Sequence, residues 1–488
     1  MLALVAALVF VVCTALLSAS IQADSGQYLA VIGLGSQREL GNLASRGLNI
    51  VHSNADLLVA ICSKLQISQL GQAGIQFDLL QPLGEDTSPY LIYDGAALES
   101  SCSLDTANAY PYAEDAYIAQ LRVDQAEALA IAGADLVRLS RAIPWPLDVA
   151  TPMRRASVLP SVSVESLAQA VSPTLLIHHV CKLQDRDALG YCNELGTRYS
   201  FASAGLNEAA AYLYSAYTSY GLQVTYDPFV FNSMPMTNVV AELMGSTGSR
   251  EHVVILSAHY DSISPQPYDA APGADDNASG VAAVLEVARL LSEQSFPCTI
   301  RFINFAGEEQ GLIGSAHYAE QAYRRGDMID GVINLDMIAY ESLPPGDHLV
   351  DIHAGTDPRS VLLADELVAS ISSLEEAIHE LPLLVPQVIT AGATWRSDHG
   401  SFWARGFPAV LGSEDMDDLN PNYHSTRDTR SRIRPQLMVE FTKAALVTIA
   451  RLASRSYAPT PTPTSAPTPT LTATPWRLYL NLVRPLGW

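Results

Sequence analysis

Positive charge is scarce in this chain: 28 lysines and arginines stand against 51 acidic residues, for a formal charge of −23. Such a surface repels phosphate backbones and anionic bilayers, which disfavours nucleic acid and acidic membrane as partners; no nucleic acid partner is expected. No lysine or arginine occurs before Arg38. Cysteine is sparse as well. The six present show no C-x-x-C and no Cys/His zinc-finger spacing, which excludes a structural zinc finger. Beyond the apolar run from Leu2 to Leu17, no stretch is long enough to span a bilayer.

What is present is enough apolar material to fold. Of 488 residues, 48% are apolar and 16% charged, which implies two or three domains. The opening "MLALVAALVFVVCTALLSASIQADSG" is apolar and then turns small and polar, as a secretory signal does before its cleavage site. Residues 1–23 are therefore read as a signal peptide cut after Ala23, although its usual basic start is missing. The alternative is an uncleaved anchor. Either way the remainder is expected to be secreted or held at the cell surface. Losing Cys13 leaves Cys62, Cys102, Cys181, Cys192 and Cys298, an odd number, so at least one thiol is unpaired or pairs between chains. Cys181 and Cys192 can close a short loop in an oxidising compartment, but spacing does not show whether their Cβ atoms face each other.

Residues 24–150 alternate short β-like runs with helical ones: "YLAVIGLG", "LLVAICSK", "YIAQLRV" and "ADLVRL". "LGQAGIQFDLL" (Leu70 to Leu80) echoes "LAIAGADLVRL" (Leu129 to Leu139), which suggests a duplicated small α/β unit serving as an accessory or pro-region. In "VIGLGSQREL" the third glycine of a dinucleotide fingerprint is replaced by Arg38, so the glycine pair reads as a turn. Residues 151–173 look like a linker. From 174 to 456 strands alternate with helices, beginning with an amphipathic helix closed by Gly221. The fold expected is α/β, a mostly parallel mixed sheet with helices on both faces. Chemistry is then sought at strand C-termini. Residues 457–475 carry proline at nearly every second position and form an extended spacer. The last thirteen, 476–488, are apolar and too short to cross a membrane; a surface-attachment element and a frayed end both fit.

Within the α/β region, "VVILSAHYD" ends a strand on His259, and Asp261 two positions on lies on the same side, able to orient the imidazole. "PGADDNASG" presents Asp275 and Asp276 at a helix start, where exposed amides stabilise carboxylates. Glu308 and Glu309 follow the next strand, Asp336 ends "GVINLD", and His424 sits in "NPNYHSTRDT". Each alone reads as a cap, a surface charge or a satisfied histidine. Together, each follows a strand or lies in its outgoing loop, and two imidazoles with several carboxylates at one sheet edge make a mixed nitrogen and oxygen site suited to zinc. A cation between them also explains how adjacent Glu308 and Glu309 are tolerated.

The five ordered motifs "SAHYDS", "PGADDNASG", "FAGEEQGLIGS", "NLDM" and "YHSTRDT" resemble those of peptidase family 28, two-zinc metallopeptidases that include leucyl aminopeptidases and glutamate carboxypeptidase. The resemblance runs from about Leu175 to Ser454. It implies two zinc ions bridged by Asp276, one completed by His259 and Asp336, the other by Glu309 and His424. It further implies Glu308 as general base, Asp261 as the partner of His259, and Tyr423 as a donor to the developing oxyanion. Asp398, in "SDHGSFW", matches a family loop without an assigned role. The family's disulfide near the substrate pocket has no counterpart, since no cysteine follows Cys298.

The activity so implied is removal of N-terminal residues from peptides with a free N-terminus. A carboxypeptidase or a glutaminyl cyclase on the same ligands is the alternative among enzymes, although no arginine-rich insertion supplies a carboxylate clamp. A catalytically dead binding module is the alternative outside them, and it should have lost a ligand or the base. The N-terminal region could be a pro-segment that covers the active site, a binding accessory, or a spacer.

Overall fold

The computed structural model describes residues 27–33, 48–53, 57–84, 86–93, 109–113, 116–139, 163–184, 197–246, 252–342, 347–378 and 384–455. The leading apolar segment, Cys13, Cys102, Cys192 and the proline-rich tail lie outside them. Among the described residues no helix is long and apolar enough to cross a membrane.

Two small sheets come first. β1 (Gln27–Gly33), β2 (Asn49–Ser53), β3 (Leu57–Ser63), α1 (Lys64–Gln72) and β4 (Phe77–Pro82) form an antiparallel sheet of order β2-β3-β1-β4. β5 (Thr87–Tyr93), β6 (Tyr110–Ala113), β7 (Ala116–Arg122), α2 (Val123–Ile131) and β8 (Asp135–Arg138) repeat that order as β6-β7-β5-β8. The helices start alike. Gln66 Oε1 accepts from the Ser63 amide at 2.9 Å, and Gln125 Oε1 from the Arg122 amide at 3.0 Å. They also end alike, on Ala73-Gly74 and Ala132-Gly133, with the glycines at φ 71° and 100°. A left-handed residue there closes the last helical turn and re-aims the chain into the next strand.

The larger body follows: α3 (Val164–Ala168), α4 (Pro173–Leu183), α5 (Ser203–Ser219), β9 (Gln223–Phe231), β10 (Met234–Leu243), β11 (Val253–His259), α6 (Ala278–Leu291), β12 (Thr299–Phe305), α7 (Ile313–Arg325), β13 (Ile329–Leu335), β14 (Leu349–His353), α8 (Pro358–Ile378), β15 (Val385–Ile389), α9 (His399–Trp403), β16 (Ala409–Glu414) and α10 (Pro435–Ala453). Its eight-stranded mixed sheet has the order β15-β14-β16-β13-β11-β12-β10-β9. β12, β11, β13 and β16 run parallel at its centre. β11 is buried on both faces, as a central parallel strand must be. Val254, Leu256 and Ala258 face the core built with α6 and α10, while Val253 and Ile255 face Tyr318 and Phe402 of α7 and α9.

Residues 163–173, expected to finish a linker, instead carry α3, and Val164, Ala168 and Val171 join the largest core cluster. Their spacing of four and three puts them on one side of a helical turn, so this segment belongs to the packed domain. Cys181 is disulfide-bonded, but its expected partner Cys192 is outside the described residues. Cys62 and Cys298 are free and buried.

The small sheets lie against the larger body. Tyr199 Oη donates to Glu127 at 2.8 Å, the Arg138 amide to the Gly311 carbonyl at 3.3 Å, and the His52 ring meets Trp395 edge-on at 4.9 Å. Leu312 shares a core cluster with Leu29, Leu91 and Val137.

Candidate metal centre

Parallel strands β11, β12 and β13 end on the same side of the sheet, so the residues that leave them converge. β11 delivers His259 and β13 is followed at once by Asp336. After β12, Gly307 at φ 71° turns the chain sharply and brings the Glu308 and Glu309 amides onto Asp261, at 3.2 and 3.4 Å. Asp261 also accepts from Ser200 Oγ at 2.8 Å and stands 3.5 Å from His259 Nδ1. One buried carboxylate thus holds both the imidazole and the acidic turn. Asp276 precedes α6, whose N-cap Asn277 accepts from the Gly280 amide and donates to the Leu335 carbonyl at the end of β13. His424 comes from the loop after β16 at φ 48°, and Met337, beside Asp336, sits at φ 53°. Such left-handed conformations in non-glycine residues are held only by surrounding structure, and they concentrate at functional sites.

Asp276 stands at the centre of the cluster. Its Oδ1 lies 3.1 Å from His259 Nε2 and its Oδ2 3.3 Å from His424 Nε2. Asp336 Oδ1 is 3.2 Å from His259 Nε2, and Glu309 Oε2 is 2.9 Å from His424 Nε2. His259, Asp276 and Asp336 therefore form one group of candidate ligands, and Asp276, Glu309 and His424 a second, with the ligand atoms of each within 4.8 Å of one another. Asp275 turns away and accepts from the Ala339 amide and Asn420 Nδ2. Ser397 Oγ donates to Asp336 Oδ2 at 2.5 Å.

Burial opposes charge throughout this cluster. It pushes Glu309 up to about 7, helped by the nearby Asp276 charge. It also pushes Glu308 well above the ordinary carboxylate range. For Asp276 burial is outweighed by hydrogen bonds from His259 and His424, which hold it low. Both imidazoles are held well above their ordinary range, because the facing carboxylates overcome a burial that favours the neutral ring. Four carboxylates thus crowd around two imidazoles, and burial sets Glu308 and Glu309 against the charged form. Buried like charges at this separation call for a cation. Glu309 Oε1 is buried without a hydrogen-bond partner, and nitrogen and oxygen donors in two groups sharing one carboxylate suit a pair of zinc ions.

The cluster opens into a cleft also lined by Asp135, Arg396 and Glu414. Glu308 lines it and belongs to neither ligand group. Tyr423 lines it too and stacks on His424 with ring centroids 3.7 Å apart. Its hydroxyl does not point free into the cleft, however: it donates to the carboxylate of Asp135, on the second small sheet. The oxyanion role expected for Tyr423 is compatible with this structure only if Asp135 withdraws. Asp398 is fully buried and burial pushes it up to about 7; it does not line the cleft.

Three residues at the cleft went unnoticed in the sequence. Ser397 opens the segment "SDHGSFW" and Arg396 stands directly before it, so the position of both was available. Asp135 was not, because it reaches the site only through docking of a unit nearly three hundred residues away in the chain.

Comparison with known proteins agrees with this geometry. The model of Peptidase family M28 matches residues 238–449, which contain every candidate ligand. A probable aminopeptidase of Saccharomyces cerevisiae is 31% identical over 48% of this chain and 62% of its own length. A probable leucine aminopeptidase of Trichophyton verrucosum is 31% identical over 46% of this chain and 60% of its own. This chain therefore spans about three fifths of the length of these curated relatives. Among solved structures, the LapA aminopeptidase of Legionella pneumophila superposes with a TM-score of 0.55 at 19% identity, over 76% of this chain and 99% of that one, a likeness of fold.

Proposed function

We propose that this chain, which resembles the M28 metallopeptidases through residues 238–449, is a secreted two-zinc aminopeptidase acting on peptides with a free N-terminus. The observation that carries the reading is the pair of three-residue ligand groups sharing Asp276, with an uncommitted carboxylate, Glu308, facing the same cleft. His259, Asp276 and Asp336 would hold one ion, and Asp276, Glu309 and His424 the other. When bound, the ions supply Lewis-acid polarisation of a carbonyl and an acidified water.

The remaining work falls to the chain's own side chains. Glu308, outside both ligand groups, is placed to take a proton from a water in the cleft and return it to the leaving amine. Asp261 keeps the His259 ring and the Glu308-Glu309 turn in register through its contacts to both. Asn334 Nδ2 donates to Ser397 Oγ at 2.8 Å, which in turn holds Asp336. The two small sheets form an N-terminal accessory unit, and the apolar opening segment supports an extracytoplasmic location.

The test pairs a leucine-capped chromogenic peptide with its N-acetylated twin on the purified, zinc-loaded chain. Cleavage of the free-amine form alone is expected. Glu308→Gln should keep its metal content and lose about 10²- to 10⁴-fold in turnover. His424→Ala should lose metal. Cleavage of the acetylated peptide, or full zinc content in His424→Ala, would contradict the reading.

A further inference from the structure

We propose that Tyr423 and Arg396 form a carboxylate-binding subsite beside the metal centre, and that Asp135 of the second small sheet occupies it in place of a substrate carboxylate. The inference rests on the peptidase reading and deepens it by naming a substrate class: peptides that carry a carboxylate next to the scissile bond.

Three observations converge. First, Arg396 and Tyr423 come from separate loops of the larger body, and both engage the Asp135 side chain, the guanidinium as an ion pair and the hydroxyl as a donor. A planar guanidinium with a phenolic donor on one carboxylate is the arrangement by which proteins recognise that group. Second, the grip lies at the reacting end of the cleft. Asp135 Oδ1 is 3.9 Å from His424 Nδ1, and Tyr423 stacks on that ring. Third, Arg396 is the one lysine or arginine among the described residues that line the cleft, whose other charged members are ligands or acids. Its side chain keeps 30% exposure, so the cation stays within reach of a ligand.

Asp135 enters as a guest. It opens β8 just after the Gly133 turn, and the neighbouring Ala134 and Leu136 line the cleft with it. The corresponding position of the first small sheet is Gln76, which is exposed and does not line the cleft. The acid is therefore not required to build the repeat. A carboxylate there satisfies Arg396 and Tyr423 while no substrate is bound, and a peptide carboxylate must compete with it.

The matching group on a peptide is either the terminal carboxylate of a short chain or an acidic side chain, and the test separates them. Titration calorimetry would be run on the full zinc-loaded chain carrying Glu308→Gln, which prevents turnover, with Leu-Leu, Leu-Leu-amide and Leu-Glu-amide. The same titrations are repeated with Asp135→Ala, with Asp135→Asn as the milder variant, and with Arg396→Gln. Loss of Asp135 should tighten Leu-Leu or Leu-Glu-amide about tenfold over Leu-Leu-amide. Whichever of the two gains identifies the source of the carboxylate, and Arg396→Gln should erase the preference. Equal tightening of all three peptides would overturn the subsite and leave Asp135 as a steric plug, with the peptidase reading intact. A preference that survives Arg396→Gln would overturn it as well. No binding of any peptide to any variant would reject the peptidase reading itself, and this inference with it.

Discussion

The first small sheet closes its helix on Ala73-Gly74 and the second on Ala132-Gly133, and in each the glycine amide and the following residue bond back onto the last helical turn. Strand order and helix start also match. Their contacts with the larger body nevertheless differ in kind. The first sheet sets the neutral, buried His52 edge-on against Trp395, and the second sets Asp135 against Arg396, the very next residue. Two copies of one local design thus grip adjacent residues of one loop, one through an aromatic contact and the other through charge. The first contact can only hold the unit in place. The second reaches the chemistry, because Arg396 lines the cleft and Trp395 does not.

Breaking the shared loop should have the largest effect. Trp395→Ala removes the ring that meets His52 on one side and Trp403 on the other, at a cost of about 3 kcal/mol. A lower urea midpoint and faster proteolysis of the first sheet are the expected results. If peptide binding in the cleft changes to the same degree, the two sheets dock as one body and the distinction between them fails.

A smaller perturbation sharpens it. Neither Gly74 nor Gly133 has any atom within 4 Å of an added Cβ, so alanine at either costs only the left-handed backbone, about 1 kcal/mol. Gly74→Ala and Gly133→Ala should therefore lower stability alike. Only Gly133→Ala, two residues before Asp135, should alter the Leu-Leu to Leu-Leu-amide binding ratio.

The smallest effect shows only as pH falls below neutrality. Burial pushes the His52 imidazole down from 6.5 to about 4, so the folded chain keeps it neutral where the unfolded chain takes up a proton. Its contribution is complete above about 6.5 and is lost as pH falls toward 4, since the unfolded state binds more protons across that window. His52→Gln should flatten the acid limb of a stability-against-pH curve and leave the limb above neutrality unchanged. An unchanged acid limb would show that the ring is not sealed in the docked interface.

The candidate centre was largely legible in the chain because parallel strands export their C-terminal residues to one edge. His259, Asp336 and the Glu308-Glu309 pair each stand within a few residues of a strand end, where hydrophobic period and turn residues mark the place. The repeat could also be read, through the matching helix-to-strand segments. The boundary at 163 was harder, since α3 is five residues long and its burial depends on the core it meets. The fate of Tyr423 was not legible at all: a tyrosine beside a candidate ligand looks free until the acid that accepts its hydrogen bond is seen.

By itself the sequence determined which side chains the larger sheet would bring to one edge and that two similar small units would precede it, because periodicity and turn chemistry act over a few residues. It also raised the expectation of a cation among those acids. The tertiary structure alone decided that Asp135, and not Gln76, meets the candidate ligand cluster. That choice depends on which faces of separately folded units pack together, an energy summed over contacts such as Leu312 with Leu29 and Val137, or Tyr199 with Glu127, that no local pattern encodes.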